Sequence, residues 1–106
     1  MEAAVSPLLT DLYQINMIQA YLDHGDTDTA AFELFVRSLP ARRGFLLAAG
    51  LHQALDFLEN LRFSSAEIEW LKSTGRFNNN LLEYLGAFRF TGEVHAMAEG
   101  TAFFVN

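Results

Sequence analysis

The sequence predicts an α+β fold, with helices packed on a mainly antiparallel sheet. Three observations lead there. Four stretches place apolar residues at helical spacing, and others alternate or run apolar as strands do. The two kinds are segregated in the order helix, strand, strand, three helices, strand, strand, which is the α+β pattern. At 106 residues the chain makes one domain at most. A domain of that size buries on the order of two-thirds of its unfolded surface, enough for a modest core.

The first helix is expected from about Asp11 to His24. Thr10 is placed to be its N-cap, with a hydroxyl that can accept from an unpaired backbone N–H. Asp11 then falls in the first turn, where the helix dipole favours negative charge. Gly25 is a natural residue to follow the C-terminus. Leu8, Leu12, Ile15, Ile18 and Leu22 form the expected core stripe. Tyr13, Met17, Ala20 and Tyr21 form a second apolar stripe, with Gln14, Asn16 and Gln19 between the two. A surface helix needs only one apolar face, so the second points to a cover: another domain, another subunit or a ligand. Periodicity alone favours ordinary packing for the second stripe, and a helix-start role for Asp11.

Asp26 to Thr29 reads as a polar turn. Ala30 to Leu39 alternates as a strand, with Phe32, Leu34 and Val36 on one side and Glu33, Phe35 and Arg37 on the other. Glu33 and Arg37 lie roughly 13 Å apart at strand rise, so each needs another partner or solvent. Pro40 to Gly44 is a loop. Arg42 and Arg43 have the charge to hold a phosphate, but a solvated loop is the better reading of so short a run. Phe45 to Ala49 is expected to be a short buried strand.

Gly50 leads into a helix with Leu51, Ala54, Leu55 and Leu58 on one face. His52 is a lone histidine, read as a surface residue. Ser64 and Glu67 form a capping box that opens a helix with Ile68 and Leu71 inward, ending near Gly75; Trp70 is expected to cover the side of the domain. Asn78, Asn79 and Asn80 offer caps for a last helix with the stripe Leu81, Tyr84, Leu85 and Phe88. These two short helices read as packing scaffold. Phe90 to Met97 and Thr101 to Val105 read as strands around Ala98-Glu99-Gly100, where Gly100 permits the positive φ of a tight turn.

Composition narrows the function classes. Thirteen acidic and seven basic residues give a net charge of −6, spread along the chain. A phosphate-backbone footprint would need clustered positive charge, so nucleic acid is disfavoured. No cysteine is present, which removes disulfides, thiol nucleophiles and Cys-type zinc sites together. Met1 to Val5 has no basic region of the signal-peptide kind, and no apolar run approaches the ~18 residues of a membrane span. A soluble, cytoplasmic protein is the default. His24, His52 and His95 have no paired ligands at metal spacing, and no glycine-rich phosphate loop is present. The residues alone therefore present no self-contained active site and no metal site.

The wording of several stretches adds to this. Leu8-Leu9-Thr10-Asp11-Leu12-Tyr13-Gln14, followed by Met17, Gln19-Ala20-Tyr21 and Gly25, resembles the N-terminal segment of nicotinate phosphoribosyltransferases. So do Phe32-Glu33-Leu34-Phe35 with Arg37 and Pro40, and Ala49-Gly50-Leu51 with Ala54-Leu55 and Phe57-Leu58. Phe88 to Val94 and Met97 to Thr101 continue the likeness, which spans Leu8 to Phe104. The chain departs at Ala98, where the family usually has proline, and at Val105-Asn106. It keeps only Gly44 of a glycine-rich turn.

The resemblance implies the N-terminal α+β portion, residues 1–106, of a type II phosphoribosyltransferase, with an α/β barrel to follow and most of the active site in the barrel. Such enzymes join nicotinate to phosphoribosyl pyrophosphate, giving nicotinate mononucleotide and pyrophosphate in NAD salvage. Mg2+ attends the pyrophosphate, and ATP hydrolysis through a barrel histidine assists. The tyrosine of the Thr-Asp-Leu-Tyr-Gln motif, Tyr13 here, is implied to reach the pyridine ring across a homodimer interface. Asp11 is implied to lie close by, either orienting the surroundings of Tyr13 or contacting a substrate hydroxyl. No catalytic residue maps onto this portion, which is expected to be inactive alone. Two other readings are a non-catalytic interaction module of the same fold and the related nicotinamide enzyme. Leu12-Tyr13-Gln14 resembles the nicotinate branch better.

Overall fold

Helix α1 runs from Leu12 to Asp23 in the computed structural model, which describes residues 5–105. The readings made on Met1–Ala4 and on Asn106 lie outside the described residues. Asp11 is the N-cap, not Thr10 as the sequence suggests. The Gln14 carboxamide explains the difference. Its oxygen turns back to accept from the Asp11 N–H at 3.1 Å and also from the Thr10 hydroxyl, which thereby serves as a donor. At the other end Gly25 takes φ +69°. Its N–H donates to the Leu22 carbonyl and that of Asp26 to the Tyr21 carbonyl, the paired bonds of a Schellman close. The turn after the helix is thus at His24-Gly25 rather than at Asp26 to Thr29.

Helices α3 (Ser65–Ser73) and α4 (Asn79–Ala87) complete the core with α1. The capping box forms as expected, with Glu67 accepting from the Ser64 N–H at 2.7 Å and Ser64 Oγ accepting from the Glu67 N–H at 3.2 Å. Asn78 caps α4 by accepting from the Leu81 N–H at 2.9 Å. It also anchors α4 on α1: its N–H donates to Gln19 at 2.8 Å and its amide to Asp23 at 3.1 Å. Buried Ile15, Leu71, Leu81, Leu82 and Leu85 form one cluster, with Leu8, Ile18, Leu22, Phe63, Ile68 and Phe77 packed around it.

Leu82 enters the core although it lies off the predicted α4 stripe, and Tyr84, on that stripe, stays 42% exposed. The reason is that α4 packs between α1 and α3, so it needs apolar residues in two directions. Leu12 is 47% exposed, against the expectation that it joins the core; it lines an open groove instead. Trp70, on the rim of the same groove, covers little and is also exposed.

The class is α+β with an antiparallel sheet, and the sheet is small. Strand β1 (Leu46–Leu47) pairs with β2 (Ala102–Phe103), Leu46 opposite Phe103 and Leu47 opposite Ala102. The expected turn at Ala98 to Thr101 forms, closed by Thr101 N–H on the Ala98 carbonyl, with Gly100 at φ +81°. Residues 90–97, however, form no strand; the partner of β2 is β1. Of the stretch 45–49 expected to be a buried strand, only Leu46–Leu47 is strand, and no helix covers it: Phe45 and Leu47 are exposed. Helix α2 (Leu51–Glu59) likewise has no buried residue, and its apolar stripe meets no other helix.

Residues 30–39 form no strand either, because no partner lies beside them among the described residues. The radius of gyration of 17.1 Å compares with about 13 Å for a compact chain of this length. Much of the apolar surface expected to be inside is therefore outside.

Candidate functional site

The residues singled out from sequence, Asp11 and Tyr13, sit together at the start of α1. Asp11 is held there as N-cap by the Gln14 carboxamide, and its carboxylate lies beside the positive end of the helix dipole. Tyr13 is 59% exposed. Met17 and Tyr21 follow on the same line at 45% and 48% exposure, about 6 Å apart along the axis. The second stripe is therefore an open aromatic face and not part of the core.

The Tyr13 hydroxyl bonds no other side chain among the described residues and is open to an outside group, while the Asp11 carboxylate faces the Gln14 backbone N–H in a capping box. A flat aromatic face with a nearby carboxylate can stack a planar ring and accept from a hydroxyl. It supplies no nucleophile with a base. Among the described residues no three His, Asp or Glu side chains come together as a metal site.

A groove of about 330 Å³ opens behind this face, lined by Leu8, Thr10, Leu12, Trp70, Arg76 and Phe77 among others. Tyr13 is not on its wall, so the groove and the aromatic stripe are separate features. His52 is exposed, as its reading as a surface residue predicts, and His95 is exposed too. Its ring lies 3.2 Å from the Glu93 carboxylate.

Sequence reasoning missed three polar residues that build this frame. Gln14 and Gln19 looked like spacers between stripes, yet one fixes the start of α1 and the other docks α4. Glu99 looked like a turn residue, yet its carboxylate receives the N–H groups of Gly50 and Leu51 at 2.9 and 3.0 Å. The only local signal was Gln14 three residues after Asp11, at capping-box spacing.

Fold and site together define an α+β domain with a helical core and an uncovered aromatic helix face. Residues 8–106 match the nicotinate phosphoribosyltransferase (NAPRTase) N-terminal domain. The chain belongs to that family. It is 43% identical over 102 residues to the nicotinate phosphoribosyltransferase pncB2 of Mycobacterium tuberculosis, covering 96% of this chain and 22% of that protein. It is 40% identical over 100 residues to the Bacillus subtilis nicotinate phosphoribosyltransferase, covering 93% and 20%. The Bos taurus protein of the same name is 40% identical over 106 residues, covering 96% and 20%. The chain thus spans about a fifth of the length of these relatives. No helix among the described residues is long and apolar enough to cross a membrane.

Proposed function

We propose that this chain is the N-terminal part of a cytoplasmic nicotinate phosphoribosyltransferase of NAD salvage. In the reaction the nicotinate nitrogen bonds to ribose C1 of phosphoribosyl pyrophosphate as pyrophosphate leaves with the bonding pair. The observation that carries the reading is the coincidence of the family match over residues 8–106 with the exposure of Tyr13 in its Thr-Asp-Leu-Tyr-Gln motif. A tyrosine held on a rigid helix yet open to solvent can stack on the electron-poor pyridine ring of a neighbouring subunit in a homodimer. That would hold the ring nitrogen in line with C1. Asp11 either orients this corner or accepts from a substrate hydroxyl.

The described residues offer no cluster for Mg2+ and no phosphate cradle. In the full enzyme Mg2+, which neutralises pyrophosphate charge, and ATP are expected to be held mainly by the barrel that follows this portion. Alone, the chain is expected to be inactive.

Replacing the matching segment of the Bacillus subtilis relative by this chain tests the reading. Nicotinate mononucleotide formation by the hybrid, with a lowered kcat/KM for nicotinate in its Tyr13→Ala form, is the expected result. A folded hybrid without activity would overturn it in favour of a non-catalytic interaction module. So would a hybrid indifferent to Tyr13.

A further inference from the structure

The first turn of α1 is the part of that helix which the core does not hold. Ile15 is the first helical residue in the buried cluster, and Leu12 and Tyr13 ahead of it are 47% and 59% exposed. Tyr13 has no tether of its own: its ring packs on no other aromatic ring among the described residues. A helix start without packing frays unless its free N–H groups find partners.

Gln14 provides those partners. Its carboxamide oxygen accepts from the Asp11 N–H at 3.1 Å and from the Thr10 hydroxyl. Its own N–H donates to the Asp11 carbonyl at 3.1 Å and faces the Asp11 carboxylate. Positions 11 and 14 are therefore tied through side chain and main chain together. Leu12 and Tyr13 are the two residues enclosed between them. Closing so short a span at both ends fixes the Tyr13 backbone, and with it the direction of its Cβ.

We propose that Gln14 is a positioning residue for Tyr13: it sets where the tyrosine ring is presented to the pyridine, without itself touching the substrate. The inference rests on the transferase reading and deepens it. Gln19, the other bonded glutamine of α1, has a different task, since it accepts from the Asn78 N–H at 2.8 Å and docks α4. The Gln14 carboxamide bonds only Thr10 and Asp11 among the described residues. Its loss is thus felt in the first turn and not in the core.

Two measurements test this. In the 106-residue chain, Gln14→Ala should move the Tyr13 Cα chemical shift from its helical value toward the random-coil value. Gln14→Glu keeps an acceptor at the same position, so the shift should stay helical. The shifts of α4 should not move in either variant. In the hybrid with the Bacillus subtilis relative, Gln14→Ala should lower kcat/KM for nicotinate roughly fivefold, the weight of a typical cap. The KM for phosphoribosyl pyrophosphate should be unchanged. In the Tyr13→Ala hybrid the same substitution should have almost no effect, because the ring it positions is gone. An unmoved Tyr13 shift, an unchanged kcat/KM in a Tyr13-dependent hybrid, or an equal loss in both backgrounds would each overturn the inference. A hybrid indifferent to Tyr13→Ala would instead overturn the reading beneath it. The two failures are distinct, because the Tyr13 shift in the Gln14→Ala chain would still move.

Discussion

The Glu99 carboxylate takes the Gly50 N–H at 2.9 Å across 49 positions of sequence, closing the start of α2 from the turn that precedes β2. Its second oxygen takes the Leu51 N–H at 3.0 Å. The free donors of a helix start and the positive end of its dipole are thus met by the chain's own carboxylate. The Gly50 bond, then the Leu51 bond, hold the Glu99 carboxyl below its ordinary range, and His52 adds a smaller pull in the same direction.

The sign of the pH dependence follows. A carboxyl depressed in the folded state contributes stability that is present above its unfolded pKa and lost as pH falls through its folded value. Acidification through and below the ordinary carboxylate range is expected to expose the Gly50 and Leu51 amides to hydrogen exchange. Glu99→Gln should do the same at neutral pH. Glu67, depressed chiefly by the Ser6 hydroxyl and then by the Ser64 N–H, has the same sign at α3. Amide exchange followed by NMR across the acid range checks both.

Leu81 and Leu12 are expected to separate in a urea titration. Leu81 is fully buried, and Leu81→Ala should lower stability by ~2–5 kcal/mol. Leu12 is about half exposed, so Leu12→Ala should remove only about 1 kcal/mol.

Asn78→Ala should destabilise by about 0.5–2 kcal/mol, the usual loss for an N-cap, since it also releases α4 from Asp23. Asn78→Asp keeps an acceptor for the Leu81 N–H but sets a second carboxylate against Asp23, so its midpoint should fall between those of the parent and the alanine variant.

Arg42 adopts φ +71° in a turn closed by Arg43 N–H on the Pro40 carbonyl at 3.1 Å. Left-handed backbone costs a non-glycine residue roughly 1–2 kcal/mol, against roughly 0.5–1 kcal/mol of added chain entropy for glycine. Arg42→Gly is therefore expected to raise stability by up to about 1 kcal/mol, read as a shift in the thermal midpoint.

Tyr13→Ala should leave the unfolding midpoint almost unchanged, within about 0.5 kcal/mol, because the side chain is outside the core. In the hybrid enzyme it should weaken nicotinate binding by about 1 kcal/mol through the lost stacking. Isothermal titration and urea melts on the same preparations separate the two effects.

Local chemistry made much of this molecule readable in advance. The Ser64–Glu67 box, the Asn78 cap, the glycines after α1 and α3, the turn at Gly100 and the two faces of α1 all depend on neighbours within about one helical turn, where spacing is geometry. The roles given to Asp11 and Tyr13 came from the likeness to the family, since periodicity alone favoured ordinary packing. Contacts across long sequence separation were not legible. Only the assembled chain shows that β2 pairs with β1 rather than with residues 90–97, and that Leu82 is buried while Leu12 is not. The Glu99 bond to Gly50 belongs with these, as does the lack of a partner beside residues 30–39 among the described residues. An alternating pattern states that a strand is possible, but pairing is a property of two segments, and burial a property of everything packed around a side chain.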